Sequence, residues 1–131
     1  IPLIRLATYK GIPVTQLLSE ADQQEVVKQT MVGGATLTKL LGTSAWYAPG
    51  AAVAHLVDSI LHDRKKLIPC STLLEGEYGE QNIFIGVPCI IGKNGIEKIV
   101  DVTLNKEEKD EFRKSAEAIK EVNKELHNIL S

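Results

Sequence analysis

Three histidines are the side chains of this sequence best suited to bind a metal or carry a proton near neutral pH. His55 and His62 are seven residues apart in a segment with helical periodicity, with Asp58 between them. Seven residues of α-helix rise about 10.5 Å, whereas histidine nitrogens bind zinc at about 2 Å. The two histidines are therefore not expected to share one ion. His127 lies near the end of the last predicted helix, where a cation favours the C-terminus.

Cysteines and paired carboxylates are the remaining candidates for chemistry. Cys70 and Cys89 lie in predicted strands without a C-x-x-C spacing, which favours buried, inert thiols. Glu75 and Glu77 flank a predicted turn, where carboxylates are normally solvated rather than tuned for acid–base catalysis. The residues alone therefore predict no catalytic machinery and no metal site.

The composition is that of one globular domain. The chain has 131 residues, of which 44% are hydrophobic and 24% charged. The net charge of −2 gives no electrostatic footprint for nucleic acid or for a membrane surface. No apolar run is long enough to span a bilayer, no signal peptide is evident, and two cysteines favour a cytoplasmic setting. The first residue is Ile1, which indicates a removed segment or a piece of a longer polypeptide.

Two helices are predicted in the first half, after irregular to extended chain over residues 1–14. Ser19 and Asp22 resemble a capping box at the start of a helix that runs toward Leu41. The pair Gly33-Gly34 is expected to interrupt this helix, as a bend or as a site of close packing against another element. It is not expected to bind phosphate, because no strand precedes it.

The second helix is predicted to follow Thr43-Ser44 and to run to about Arg64. Pro49 falls near its first turn, where a missing N–H costs little. Small and apolar residues line one face (Ala45, Ala48, Ala52, Leu56 and Ile60), and a second apolar set lines another (Trp46, Gly50, Val53, Val57 and Leu61). A helix that is apolar nearly all round is buried or lies in an interface.

Three strands and a final helix complete the chain. The strands are predicted over Leu67–Leu74, Ile83–Ile91 and Ile96–Leu104, with Asn94-Gly95 as a tight hairpin turn. Prolines in two of them, Pro69 and Pro88, are typical of edges or bulges. Asn105 is the expected N-cap of the last helix, which has one apolar stripe and one charged face. The fold class is therefore α+β, with long helices packed on an antiparallel sheet.

Four stretches, in this order and spacing, resemble the C-terminal half of NAD-dependent malate dehydrogenases of the lactate-dehydrogenase-like type. The first is Ile1–Arg5 with Gly11–Val14, and the second is Gly33–Ala35 with Ser44–Pro49. The third joins Asp63–Lys66, Glu75–Gly79 and Gly86–Val87–Pro88, and the fourth runs from Gly92–Glu97 into the closing helix with Ser115. The likeness covers essentially all 131 residues.

The resemblance implies that residues 1–131 form a substrate-binding and oligomerisation domain, with an NAD-binding Rossmann domain upstream of this chain. It places Ser44 and Ala45 at the substrate and Pro49 at the nicotinamide ring of the cofactor NAD. It places no catalytic residue in this chain, since the family's histidine falls just before Ile1. The implied reaction interconverts malate and oxaloacetate in the tricarboxylic acid cycle, in a homo-dimer or homo-tetramer. The segment alone is expected to be inactive.

Two alternatives remain open at this stage. The stretch Ser44–Pro49 resembles malate dehydrogenases more than lactate dehydrogenases, but the lactate enzyme's C-terminal domain is one alternative. The other is a non-catalytic self-association module, which the apolar second helix and the absence of catalytic groups would suit.

Overall fold

A small hairpin and two helices build the N-terminal part of the chain. The structure is a computed structural model that describes residues 1–130, with side chains through residue 126. The chain divides into two compact units, Ile1–Pro49 and a second unit from Gly50 onward. A 3-10 turn opens the first unit and is followed by four elements: β1 (Thr8–Tyr9), β2 (Ile12–Pro13), α1 (Val14–Leu17) and α2 (Glu20–Leu41).

The predicted irregular chain over residues 1–14 is a hairpin in its second half. Strands β1 and β2 pair antiparallel around Lys10 and Gly11, whose φ values are +50° and +83°. A two-residue turn with positive φ at both central residues matches the right-handed twist of the two strands that it joins. Gly11 adopts its positive φ without steric cost.

The capping residue predicted for α2 is confirmed. Ser19 Oγ accepts a hydrogen bond from the backbone N–H of Asp22 (3.2 Å) and donates one to its carboxylate (2.6 Å). The predicted interruption at Gly33-Gly34 is wrong, because α2 is continuous through both residues to Leu41. A Cβ at either glycine would meet nothing within 4 Å, so no other element packs closely there. Glycine weakens a helix but removes no hydrogen bond, and cooperative elongation carries the helix through.

The second unit is an antiparallel sheet covered by two helices. Its elements are α3 (Tyr47–Leu61, whose first three residues belong to the first unit), β3 (Lys66–Glu75), β4 (Gln81–Gly92), β5 (Gly95–Ile99) and α4 (Lys106–Leu130). The strand order is β3-β4-β5. This confirms the predicted meander and a hairpin turn within Gly92–Gly95. The predicted pair Asn94-Gly95 is not the centre of that turn: Gly92 pairs with Gly95, so the central residues are Lys93 and Asn94, and of these four residues only Gly95 has a positive φ (+85°).

One face of this sheet forms the core. The inward residues alternate along the strands and meet the helices in one cluster: Leu74, Ile83, Ile85, Val87, Cys89, Ile91 and Ala116. Leu56 and Ile60 of α3 and Phe112 and Ile119 of α4 pack against that cluster. The α+β class with helices on an antiparallel sheet is therefore confirmed.

Strand β5 ends at Ile99, five residues before the predicted end at Leu104. The Tyr78 hydroxyl donates to the carbonyl of Val100 (2.6 Å) and accepts from the N–H of Val102 (3.0 Å). These backbone groups are thus bonded by a side chain instead of by a further strand, so the ladder stops.

The two strand prolines face each other across β3 and β4. Neither has an N–H, so they can form only a non-hydrogen-bonded pair. Pro69 lies on the edge strand, as predicted, but Pro88 lies in the central strand and not at an edge. Its carbonyl is still bonded, because it accepts from the Val100 N–H at 2.8 Å.

One buried hydrogen bond joins α3 to the sheet, and a backbone motif then ends the helix. The fully buried Ser59 hydroxyl donates to the Ile91 carbonyl at 2.8 Å. The helix then ends in a Schellman motif, in which Asp63 N–H bonds the Ile60 carbonyl (3.3 Å) and Arg64 N–H bonds the Ser59 carbonyl (2.9 Å). Asp63 occupies the left-handed position (φ +48°) where glycine is usual.

The carboxylate of Asp63 joins the end of α3 to the turn between β4 and β5. Its Oδ1 accepts from the backbone N–H of Lys93, at the start of the β4–β5 turn (3.0 Å). A Cβ at Gly92 would lie 2.7 Å from this oxygen and 2.6 Å from Glu97 Oε1, so a side chain at this position would have to displace both carboxylates.

Candidate functional site

The predicted site residues lie in the connection between α2 and α3. Helix α2 ends at Leu41, and Gly42 follows it in the left-handed conformation (φ +68°). Ser44 and Ala45 lie in the irregular segment that follows, and Pro49 is the third residue of α3. The second helix thus begins at Tyr47, two residues later than a helix that directly follows Ser44, and ends at Leu61, three residues before Arg64. Pro49 is in the first turn, where no intrahelical acceptor requires its N–H.

These residues present an accessible surface. Ser44 and Pro49 are exposed and Ala45 is half-buried. Within the described part of the chain, no hydrogen bond occupies the Ser44 hydroxyl. Trp46 and Tyr47 are 65% and 87% exposed, and their rings meet edge to face at 6.5 Å. The arrangement offers one free hydroxyl beside small and aromatic groups, which suits binding and shaping a pocket rather than proton transfer.

The apolar faces predicted for α3 separate in the structure. Leu56 and Ile60 pack on the core cluster, whereas Val53 and Leu61 are 61% and 75% exposed. Val57, on the same outer face, is 42% exposed. A row of exposed branched side chains on one helix is typical of an interaction surface.

One of the histidine candidates, His62, belongs to an ion cluster around Asp58. Asp58 accepts from Arg64 (2.6 Å) and His62 (3.0 Å) and lies 3.7 Å from Lys66 Nζ. The hydrogen bond from Arg64, with these positive charges, lowers the pKa of the Asp58 carboxyl. His55 is exposed, and the side chain of His127 lies outside the described residues. Up to residue 126, no three side chains of His, Cys, Asp or Glu are grouped to hold a metal.

The surroundings of the two cysteines and of Glu77 shift their pKa values away from catalytic use. Cys70 and Cys89 are free, and burial raises the pKa of each thiol, which opposes nucleophilic reactivity. Glu77 accepts from the backbone N–H of Glu75 (2.8 Å), and such backbone hydrogen bonds lower its pKa. A general acid near neutral pH needs the opposite shift.

No described helix has both the length and the apolar character required to cross a membrane.

The chain is thus a domain in which helices pack on an antiparallel sheet, with Ser44 and Ala45 in the connection between α2 and α3 and Pro49 in the first turn of α3. A family model described as the lactate/malate dehydrogenase, alpha/beta C-terminal domain, matches residues 1–129. The chain belongs to this family.

Two of its sequence relatives are malate dehydrogenases. The chain is 65% identical over 130 residues to malate dehydrogenase of Flavobacterium frigidimaris, and 65% identical over 129 residues to that of Parabacteroides distasonis. It covers 42% and 41% of those proteins and is itself covered to 99% and 98%. The chain therefore spans about two-fifths of the length of these curated relatives.

Solved structures of malate and lactate dehydrogenases also resemble this chain. The structure of malate dehydrogenase from Salinibacter ruber matches with a TM-score of 0.95 at 41% identity, over 98% of this chain and 42% of that one. Lactate dehydrogenase from Eimeria maxima with NADH and oxamate matches with a TM-score of 0.92 at 36% identity, over the same shares.

Proposed function

We propose that this chain is the substrate-binding and oligomerisation domain of an NAD-dependent malate dehydrogenase, which interconverts malate and oxaloacetate. The observation that carries the proposal is 65% identity over nearly the whole chain to proteins named malate dehydrogenase. Among solved structures, the malate dehydrogenase of Salinibacter ruber is 41% identical and the lactate dehydrogenase of Eimeria maxima 36% identical to this chain, which also favours malate, by a smaller margin. We place the reaction in the cytoplasm, within the tricarboxylic acid cycle.

Ser44, Ala45 and Pro49 are the proposed binding residues. The unoccupied hydroxyl of Ser44 can donate to a substrate oxygen, and Ala45 leaves room for the substrate beside it. The exposed ring of Pro49 has no polar group and suits contact with the nicotinamide. When bound, NAD supplies the hydride acceptor for malate oxidation.

The described residues fit only part of such a cofactor site. Gly33 and Gly34 lie inside α2, so their N–H groups belong to a helix and do not form a loop around a pyrophosphate. No histidine or carboxylate of the connection is placed for proton transfer. We therefore assign the phosphate site and the general base to a Rossmann domain that precedes these residues, and expect the 131-residue chain alone to be inactive.

A second copy of the polypeptide is the proposed partner of α3. The outer face of this helix exposes Val53, Val57 and Leu61, and Ala52 beside them is also exposed. Small residues next to branched ones allow another helix to approach closely. A homo-dimer or homo-tetramer would remove this face from water.

The role of Ser44 can be tested in the polypeptide that joins these residues to a dinucleotide-binding domain. The hydrogen bond lost in Ser44→Ala is expected to lower kcat/KM for malate about tenfold, because such a bond to a charged substrate contributes roughly 1.5 kcal/mol. Ser115→Ala, an exposed serine on α4, is the matched control and is expected to change nothing. Equal kinetics of the two variants would contradict the assignment of Ser44.

The assembly can be tested separately by sedimentation velocity. Ala52→Leu is expected to shift the equilibrium toward monomers while the circular dichroism spectrum is unchanged, because Ala52 is exposed in the monomer. An unaltered oligomer would place the interface elsewhere. A stable oligomer of the 131-residue chain in a protein that never turns over malate would favour the self-association module.

A further inference from the structure

A cavity of about 370 Å³ lies in the second unit. It is bounded by the turn between β3 and β4, the segment after β5 and the first turns of α4. The lining residues that matter are Tyr78, Leu104, Lys109, Phe112 and Arg113. The volume is in the range of small-ligand sites.

Two cations of the cavity lack strong partners. Lys109 forms no ion pair within residues 1–126. The nearest ion pair of Arg113 is a long one of 4.0 Å to Asp110, and the side chains of Arg113 and Asp110 are both more than half exposed. The two are four residues apart on α4, which brings their side chains together on one face. Like charges at this spacing repel, and a bound anion would remove that repulsion.

The other charged groups around the cavity do not cancel these cations. Glu80 lines the wall, but its carboxylate is already bonded to Lys120 Nζ at 2.5 Å. Asp101 is near Tyr78 and exposed. The Tyr78 hydroxyl already donates one hydrogen bond to the backbone of the segment after β5 and accepts one from it.

The remaining wall is apolar and ordered by packing. Leu104 is buried, with 8% of its surface exposed, and the centroids of the Phe112 and Tyr78 rings are 5.2 Å apart. The cavity therefore combines two cationic side chains with an aliphatic and aromatic surface.

We propose that this cavity binds a small organic phosphate, with its dianionic group held by Lys109 and Arg113 and its carbon body against Leu104 and Phe112. A phosphate monoester presents three acceptor oxygens, enough for the two donors of an arginine and the ammonium of a lysine. The inference does not depend on the proposed dehydrogenase activity.

The test is a titration of the 131-residue chain with phenyl phosphate and, separately, with inorganic phosphate. Binding is followed through the backbone amide NMR shifts of residues 78, 104 and 112. Phenyl phosphate is expected to saturate these shifts and to bind more tightly than inorganic phosphate, because only the former uses the apolar wall.

Variants of the two cations decide which groups bind. Lys109→Gln and Arg113→Gln are each expected to weaken phenyl phosphate binding about tenfold, while Lys114→Gln, a neighbouring exposed lysine that does not line the cavity, binds as the parent does. All three positions are exposed, so the variants are expected to fold, and circular dichroism verifies this. Shifts that do not saturate, equal affinity for the two probes, or equal effects of all three variants would overturn the proposal.

Discussion

The left-handed cap of α3 gives the sharpest prediction about what holds the second unit together. Asp63 combines a positive φ of +48° with a carboxylate that accepts the Lys93 N–H at 3.0 Å. The two properties can be separated by three substitutions. Asn tolerates the left-handed conformation and keeps an acceptor, Gly keeps only the conformation, and Ala keeps neither.

The expected costs follow from these two contributions. The hydrogen bond is exposed and is expected to contribute about 1 kcal/mol. Placing Ala in the left-handed region costs roughly 1 kcal/mol more. Asp63→Asn should therefore change the free energy of unfolding by less than about 0.5 kcal/mol, Asp63→Gly should lower it by at most about 1 kcal/mol, and Asp63→Ala should lower it by about 2 kcal/mol.

Urea unfolding of the chain, followed by far-ultraviolet circular dichroism, measures this order. The Ala variant should also unfold at a lower temperature, by roughly 5–10 °C for a chain of this size. Equal stability of the Gly and Ala variants would refute the role of the backbone conformation. An Asn variant as unstable as the Ala variant would refute the role of the acceptor.

Three further predictions concern other polar contacts of the second unit. Ser59→Ala leaves the Ile91 carbonyl without its hydroxyl donor and should lower the free energy of unfolding by about 1–2 kcal/mol in the same urea assay. Tyr78→Phe should cost about 2 kcal/mol and should also reduce the loss of stability at alkaline pH. Burial raises the pKa of the Tyr78 phenol, so the unfolded chain releases its proton first as pH rises through about 10. Asp58→Asn should flatten the acid end of the stability curve, because the hydrogen bond from Arg64 lowers the Asp58 pKa and its stabilising effect is lost as pH falls below about 4.

Local sequence signals predicted much of the fold. Asn105 caps α4 as expected, with its side chain accepting the Glu108 N–H (2.9 Å) while Glu108 accepts the Asn105 N–H (2.8 Å). The Ser19 cap and the hairpin turn within Gly92–Gly95 are of the same kind, since each depends on a few neighbouring residues.

Contacts between distant residues were not predictable in this way. The end of β5 depends on Tyr78, which lies 22 residues before the carbonyl it bonds and itself has a positive φ of +54°. The cavity beside it joins three segments that no pattern connects. Gly79 and Gly76, with positive φ values on either side of Tyr78, were the local signal that this turn has a special conformation.

The candidate site was located by resemblance and not by pattern. Nothing in the composition distinguishes Ser44 from other serines, and the predicted start of α3 lies two residues before the observed one. The reason is that Ser44 resembles an N-cap, while the chain stays irregular until Tyr47.

The most direct test of the account is the rate of NAD reduction by a polypeptide that carries these residues behind a dinucleotide-binding domain, measured with malate and with lactate as alternative substrates. We predict turnover of malate with little or none of lactate, and none of either by the 131-residue chain alone. A preference for lactate would contradict the malate assignment, and an absence of turnover with both substrates in a folded, NAD-binding protein would contradict the dehydrogenase function.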